Sequence, residues 1–174
     1  MQKDDRPFIP VQIAVLTVSD TRTPETDTSG QALINRLKDA GHTLVAYEIV
    51  KDTVDAIQNR VQKWIADDGV QVVIATGGTG LTGRDVTPEA FEPLYDKAIP
   101  GFGELFRMLS YQKIGTSTIQ SRTTAGLAGG TLLFALPGST GAVKDGWDDI
   151  LASQLDSRFG PCNFTEMMPR FGER

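Results

Sequence analysis

Only one cysteine, Cys162, and one histidine, His42, occur in the 174 residues. A lone cysteine excludes an intrachain disulfide and any cysteine-rich metal site. A single histidine, just before an expected strand and far in sequence from the glycine-rich region, argues against histidine-based catalysis or zinc ligation. Positive charge is also scarce. Lys and Arg number 17 against 22 Asp and Glu, for a net charge of -5 and a sequence pI near 4.9. That balance argues against broad contact with nucleic acid or a membrane surface, both of which need clustered cations. No apolar run approaches the roughly 20 residues of a membrane span. The start, with Asp4, Asp5, Pro7 and Pro10, lacks the apolar core of a signal peptide, so a cytoplasmic protein is expected.

What is present is ordinary for a folded domain: 40% apolar and 22% charged residues, with no repeat and no low-complexity tract. A single domain over residues 1–174 is expected, with about the first ten residues as a flexible segment. The apolar pattern alternates in type. Val11 to Val18 and Val70 to Ala75 are β-branched runs without strict alternation, as in strands buried on both faces of a parallel sheet. Thr43 to Val50 reads as another strand, and Thr131 to Leu136 as a late one. Between them, Ala32, Leu33 and Leu37, then Val54, Ile57, Val61 and Trp64, recur at helical spacing. Ser29 is the expected N-cap of the first helix and Thr53 that of the second. A short helix is expected over 88–95, broken at Ile99-Pro100-Gly101, followed by a helical stripe of Phe102, Leu105, Phe106 and Leu109. The stretch 115–130, rich in Ser, Thr and Gly, has no periodicity to assign. A last helix carries Val143, Trp147, Ile150 and Leu151, and the tail from Arg158 mixes Pro, Phe and Met as if to pack against a neighbour. Strand-helix alternation of this kind predicts a three-layer α/β/α domain with a mostly parallel open sheet.

In such a sheet, ligands bind outside the carboxyl ends of the strands. Four loops meet that condition: Ser19-Asp20, Asp52, the Gly77 to Asp85 loop, and Gly138-Ser139. The third satisfies G-x-G-x-x-G at Gly78 to Gly83, yet the next helix starts near Pro88, outside the motif. As a P-loop it has Arg84 and Asp85 where Lys and Ser or Thr are needed. Glycines there still bring main-chain N–H groups close to an anion. Asp52 and Asp85 are the candidate pair for holding Mg²⁺ against phosphate oxygens, with helix capping as the plainer role for each. Gly138-Ser139 reads as an anion cradle or a simple cap, as do Ser19 and Asp20. Arg84 reads as a phosphate neutraliser, a partner of Asp85 or a solvated side chain. Trp64 and Trp147 read as core.

Thr76-Gly77-Gly78-Thr79-Gly80, followed by Arg84-Asp85-Val86-Thr87-Pro88-Glu89, resembles the molybdenum cofactor biosynthesis family that includes the MogA molybdopterin adenylyltransferases and the MoaB proteins. The resemblance runs from the Val11 strand to Pro169. It is nearer the MoaB branch through Leu81-Thr82-Gly83, Ile114 to Ser117, Ser121 to Leu127, and Leu136-Pro137-Gly138-Ser139. It implies a molybdopterin-binding-like fold and Mg-ATP-dependent adenylylation of molybdopterin, or else binding of the pterin without turnover. By the same resemblance Asp52 and Asp85 are the catalytic pair, with Asp52 on magnesium. Ser19, Asp20, Gly77, Gly78, Thr79, Gly80, Glu104, Gly138 and Ser139 would bind substrates. It further implies ATP as co-substrate, a molybdenum-insertion enzyme as partner, and a homotrimer or homohexamer.

Overall fold

The computed structural model describes residues 5–173. One six-stranded sheet, ordered β2-β1-β3-β6-β5-β4, carries the fold. Its strands are β1 Gln12–Val18, β2 Thr43–Val50, β3 Val72–Thr76, β4 Lys97–Ala98, β5 Thr124–Ala128 and β6 Thr131–Leu136. β2, β1, β3 and β6 run parallel, and β5 and β4 are antiparallel additions at one edge. The expected mostly parallel open sheet is therefore present.

Helices cover both faces, which is why the inner strands are apolar at nearly every position. On one side Ile13, Val15, Val72, Ile74, Leu132 and Phe134 pack with α1 (Thr28–Asp39), α4 (Pro100–Ile114) and α5 (Thr140–Gly146). On the other, Ala14, Leu16, Val73, Ala75 and Leu133 meet α2 (Val54–Ile65) and α3 (Thr87–Phe91). Neighbouring residues of one strand thus serve opposite cores, as the pleat requires. After α5 the helix widens into a π turn, Trp147–Leu151, and closes with α6, Ala152–Gln154. Trp64 and Trp147 are core residues, one on each side.

Two expectations are corrected, at the cap of α1 and in the tail, and two segments gain definition. The N-cap of α1 is Asp27, whose carboxylate accepts from Gly30 N–H, and Ser29 lies inside the first turn. Asp27 prevails because the Thr17 and Tyr47 hydroxyls from two strands also donate to it, each at 2.6 Å. Pro100 begins α4 instead of merely ending what precedes, a proline at the first helical position needing no N–H acceptor. The unassigned Ser/Thr/Gly stretch holds a 3₁₀ segment, Gly115–Gln120, and β5. The tail packs on its own chain: Phe164 of α7 (Phe164–Met167), Met168 and Phe171 lie against the same core as α1 and α4. Of the segment expected to be flexible, residues 1–4 lie outside the described residues. Ile9 N–H donates to Ser157 Oγ, and that hydroxyl donates to Pro7 O, so the adjoining residues are tied down.

Candidate functional site at the strand switch point

The chain leaves β1 for β2 on one side and comes to β3 on the other, so strand order reverses between β1 and β3. The crevice above that reversal is where an open α/β sheet accepts ligands. Here a cavity of about 220 Å³ is lined by Thr17, Val18, Ser19, Arg22, Asp27, Ser29, Asp52, Thr76, Gly77, Gly78 and Gly138. Loops from all four parallel strands contribute.

The glycines do steric work at the base of the crevice. Gly77 has φ +106°, and a Cβ there would lie 2.3 Å from Val18 O; a Cβ on Gly138 would lie 3.2 Å from Gly77 Cα. The β1, β3 and β6 loops can touch only because these positions have no side chain. Thr87 at the start of α3 fastens the turn, donating its hydroxyl to Gly77 O and its N–H to Gly78 O. Among the described residues, the N–H groups of Gly78, Thr79, Gly138 and Ser139 meet no protein acceptor.

The three aspartates differ sharply. Asp20 is paired with Arg84, and that hydrogen bond holds its carboxyl below the usual range. Asp52 N–H donates to Asp20 Oδ1 at 3.3 Å, but no side chain donates to the Asp52 carboxylate. Burial, and then the negative charge of Asp20, push its carboxyl above the ordinary value despite the Asp20 N–H and the Arg84 charge. Asp85 is spent inside its own loop. Its Oδ2 accepts from the N–H of Thr82 at 2.8 Å and the hydroxyl of Thr82 at 2.6 Å. Burial would raise the Asp85 carboxyl, but the Thr82 donors, the Gly80 N–H and the Arg122 charge outweigh it and lower it.

The expected site residues therefore separate. Ser19, Asp52, Gly77, Gly78 and Gly138 share the first cavity. Thr79, Gly80, Gly138 and Ser139 line a neighbouring one of about 290 Å³, with Phe106, Ile114, Ser117 and Gln120. Gly138 borders both. Asp20 lies on the outer wall of the β1 and β2 loops, beside Lys51 and Tyr47. Glu104 is not brought to the crevice; it lines a groove of about 710 Å³ with Glu92, Tyr95 and Arg107. Neither aspartate serves as a cap, since Thr53 caps α2 and α3 has no side-chain cap at Val86. Arg84 pairs with Asp20 and not with Asp85.

Sequence reasoning missed Thr17, Arg22, Asp27, Ser29 and Thr76 as lining residues. Thr17 and Thr76 carry a faint signal, a hydroxyl close to the carboxyl end of an otherwise apolar strand. Arg122, in the stretch without assignable periodicity, supports the site from outside that cavity. It clamps the glycine loop, donating through Nε to Gly80 O and through Nη2 to Asp85 O, each at 2.7 Å, and pairing with Glu89.

Comparison with known proteins agrees with this geometry. Residues 14–157 match the family described as "Probable molybdopterin binding domain". The chain is 56% identical over 157 residues to molybdenum cofactor biosynthesis protein B of Escherichia coli K12, covering 90% of this chain and 92% of that one. It is 50% identical over 154 residues to the protein of that name from Bacillus subtilis 168, covering 88% and 90%. A crystal structure of a molybdenum cofactor biosynthesis protein B superposes with a TM-score of 0.84 at 47% identity, covering 86% of this chain and 94% of that one. With its crevice inside the matched region and relatives of this identity along most of its length, the chain belongs to the molybdopterin-binding family of molybdenum cofactor biosynthesis proteins.

Proposed function

We propose that the chain adenylylates molybdopterin with Mg-ATP. The terminal phosphate oxygen of molybdopterin attacks the α-phosphorus, the bond from that phosphorus to the bridging oxygen of the β-phosphate breaks, and pyrophosphate leaves. One observation carries the reading. Asp52 is a carboxylate without a side-chain donor, pushed up by burial and by Asp20, facing a turn with unpaired N–H groups. A carboxylate in that condition fits a cation, and the adjoining amides fit phosphate.

Among the described residues, no group of three or more His, Cys, Asp or Glu could hold a metal ion. That suits magnesium accompanying a nucleotide, which is held by one or two carboxylates plus phosphates. Asp52 would hold it. Magnesium bound with ATP supplies charge neutralisation on the phosphate oxygens. Phosphoryl-type transfer needs positioning and electrostatics more than a nucleophilic side chain, so a chain poor in His and Cys is no obstacle. The N–H groups of Gly78 and Gly138 orient phosphate. The cavity containing Thr79, Gly80 and Ser139, with Phe106 and Ile114 as apolar wall and Gln120 as amide, suits a flat heteroaromatic ring. Asp85 acts by shaping the loop between the two.

A second reading, pterin binding without turnover, is favoured by the engagement of both nearby arginines: Arg22 donates to Thr26 O, and Arg84 pairs with Asp20. Purified protein with molybdopterin and Mg-ATP separates the two, since only turnover yields adenylylated pterin and pyrophosphate. Equal trace product from wild type and Asp52→Ala would rule turnover out. A homotrimer or homohexamer, delivering product to a molybdenum-insertion enzyme, belongs to the same proposal. The exposed stripe Leu105, Met108, Tyr111 and Ile114 on α4 supports association, and light scattering of the purified chain tests it.

A further inference from the structure

Each hydroxyl has one proton to donate and two lone pairs to offer. Three hydroxyl residues line the 220 Å³ cavity with that proton already committed. Thr17 donates to Asp27 Oδ2 at 2.6 Å, Ser29 to Gly138 O at 2.7 Å, and Thr76 to Pro137 O at 3.0 Å. The acceptors are carboxylate or carbonyl oxygens, so the direction of each bond is not in question. Asp27 is 2% exposed and cannot turn to solvent for another partner. To anything entering the cavity these hydroxyls offer lone pairs and no proton, beside the carboxylate of Asp52, although one lone pair of Ser29 faces the Thr140 hydroxyl at 3.3 Å. Ser19 differs: its Oγ accepts from the N–H groups of Thr21 and Arg22 and keeps its own proton. The cavity is therefore divided, with donors at Ser19, Gly78 and Gly138 and acceptors at Thr17, Ser29, Thr76 and Asp52; of the other charged lining residues, Arg22 donates to Thr26 O, and Asp27 accepts from Thr17, Tyr47 and the Gly30 N–H.

Phosphate oxygens would meet lone pairs on the acceptor side and be repelled. A group rich in outward-pointing protons is what that side accepts. The negative charge of Asp52 selects a cationic one over a neutral sugar. From this we infer that Thr17, Ser29 and Thr76 form a preset outer-sphere acceptor array for a hydrated divalent cation, contacting its water ligands and not the ion. Magnesium sheds water reluctantly and usually retains several water ligands in protein sites, and those retained waters, not the phosphate-bound side of the ion, are what the acceptor side would meet. The inference deepens the proposed function and rests on its magnesium; the test separates the two.

Cobalt(III) hexaammine carries six N–H-bearing ligands, does not exchange them, and cannot be ligated directly by a side chain. Calorimetric titration of the full chain with this ion, without nucleotide or pterin, should give saturable binding that magnesium chloride competes away. Thr17→Val and Thr76→Val, each keeping side-chain shape while removing the acceptor, should each weaken binding by about fivefold, the worth of one hydrogen bond. Thr76→Ser should restore it, and this pair decides the matter if Thr17→Val unfolds. Binding of magnesium but not of hexaammine would overturn the outer-sphere array and leave the magnesium role standing. Hexaammine binding unchanged in Thr76→Val would overturn it as non-specific attraction. Failure of both ions to bind would overturn the array, while magnesium brought in on the nucleotide phosphates is read separately by the adenylylation assay. Adenosine binding that Thr76→Val abolishes would also overturn it, by assigning the acceptors to a nucleoside.

Discussion

Asp52 and Asp85 look alike in sequence, each an aspartate past the carboxyl end of a strand, yet their surroundings make opposite uses of the same group. Around Asp85 the chain closes on itself: Thr82 and Gly80 donate to the carboxylate, and Arg122 reaches across to hold the carbonyls of Gly80 and Asp85. Around Asp52 the only donor is the Asp20 N–H, and the carboxylate is left half-buried and raised in pKa. A carboxylate with all its partners internal stabilises a loop, whereas one left without side-chain partners is available to a ligand. The difference lies in the chain between them and the aspartate, not in the aspartate.

The largest effect should come from Asp52→Asn. Removing the charge while keeping the shape should lower kcat/KM for Mg-ATP-dependent adenylylation by about 100-fold or more, roughly 3 kcal/mol of transition-state stabilisation. The thermal midpoint should stay unchanged, because no side chain depends on that carboxylate. A destabilised Asp52→Asn would break the contrast. Asp85→Asn should do the reverse in kind: loss of acceptor strength toward Thr82 should cost about 1 kcal/mol of stability, with a fall in kcat/KM nearer tenfold, through the displaced loop. Denaturant unfolding beside steady-state kinetics measures both. A smaller effect belongs to Arg84→Ala, which frees Asp20. The pair is exposed and should leave the unfolding midpoint unaltered, while magnesium affinity rises modestly as a second carboxylate becomes available, read by calorimetry. The finest test is titration of the carboxyl carbons by NMR. Asp52 should protonate at a pH above the ordinary 3.8, Asp20 and Asp85 below it. A reversed order would remove the electrostatic half of the comparison.

The parallel part of the sheet was legible because strands buried on both faces must be apolar at nearly every position, and β1, β3 and β6 are, with polar residues only near their ends. From that alone, the loops beyond their carboxyl ends follow as the place for ligands. What could not be read was decided by partners distant in sequence. Asp27 and Ser29 both suit a helix N-cap, and Thr17 and Tyr47, from separate strands, make the choice. Arg84 finds Asp20 at a separation of 64 residues. β5 contains Thr124, Gly126 and Ala128 with no strand signature of its own. It is a strand because β6 pairs with it, and because the Tyr95 ring lies where a Cβ on Gly126 would be. Glu104 sits near the start of α4, and the direction of that helix sends it to another groove, which spacing along the chain cannot report.

The contact of Gly138 with Gly77 has a consequence for how the crevice handles two ligands together. The cavity of Asp52 and that of Thr79 and Gly80 share Gly138 as a wall, and at that residue the wall is bare main chain. Such a partition keeps two chemically unlike chambers distinct while adding almost no thickness between their contents. A side chain at Gly77 would run into Val18 O and part the β3 loop from the β1 loop, and one at Gly138 would crowd Gly77 Cα and press the β6 loop away from β3. The tolerance of this junction to variation is set by the narrowness of the gap it spans.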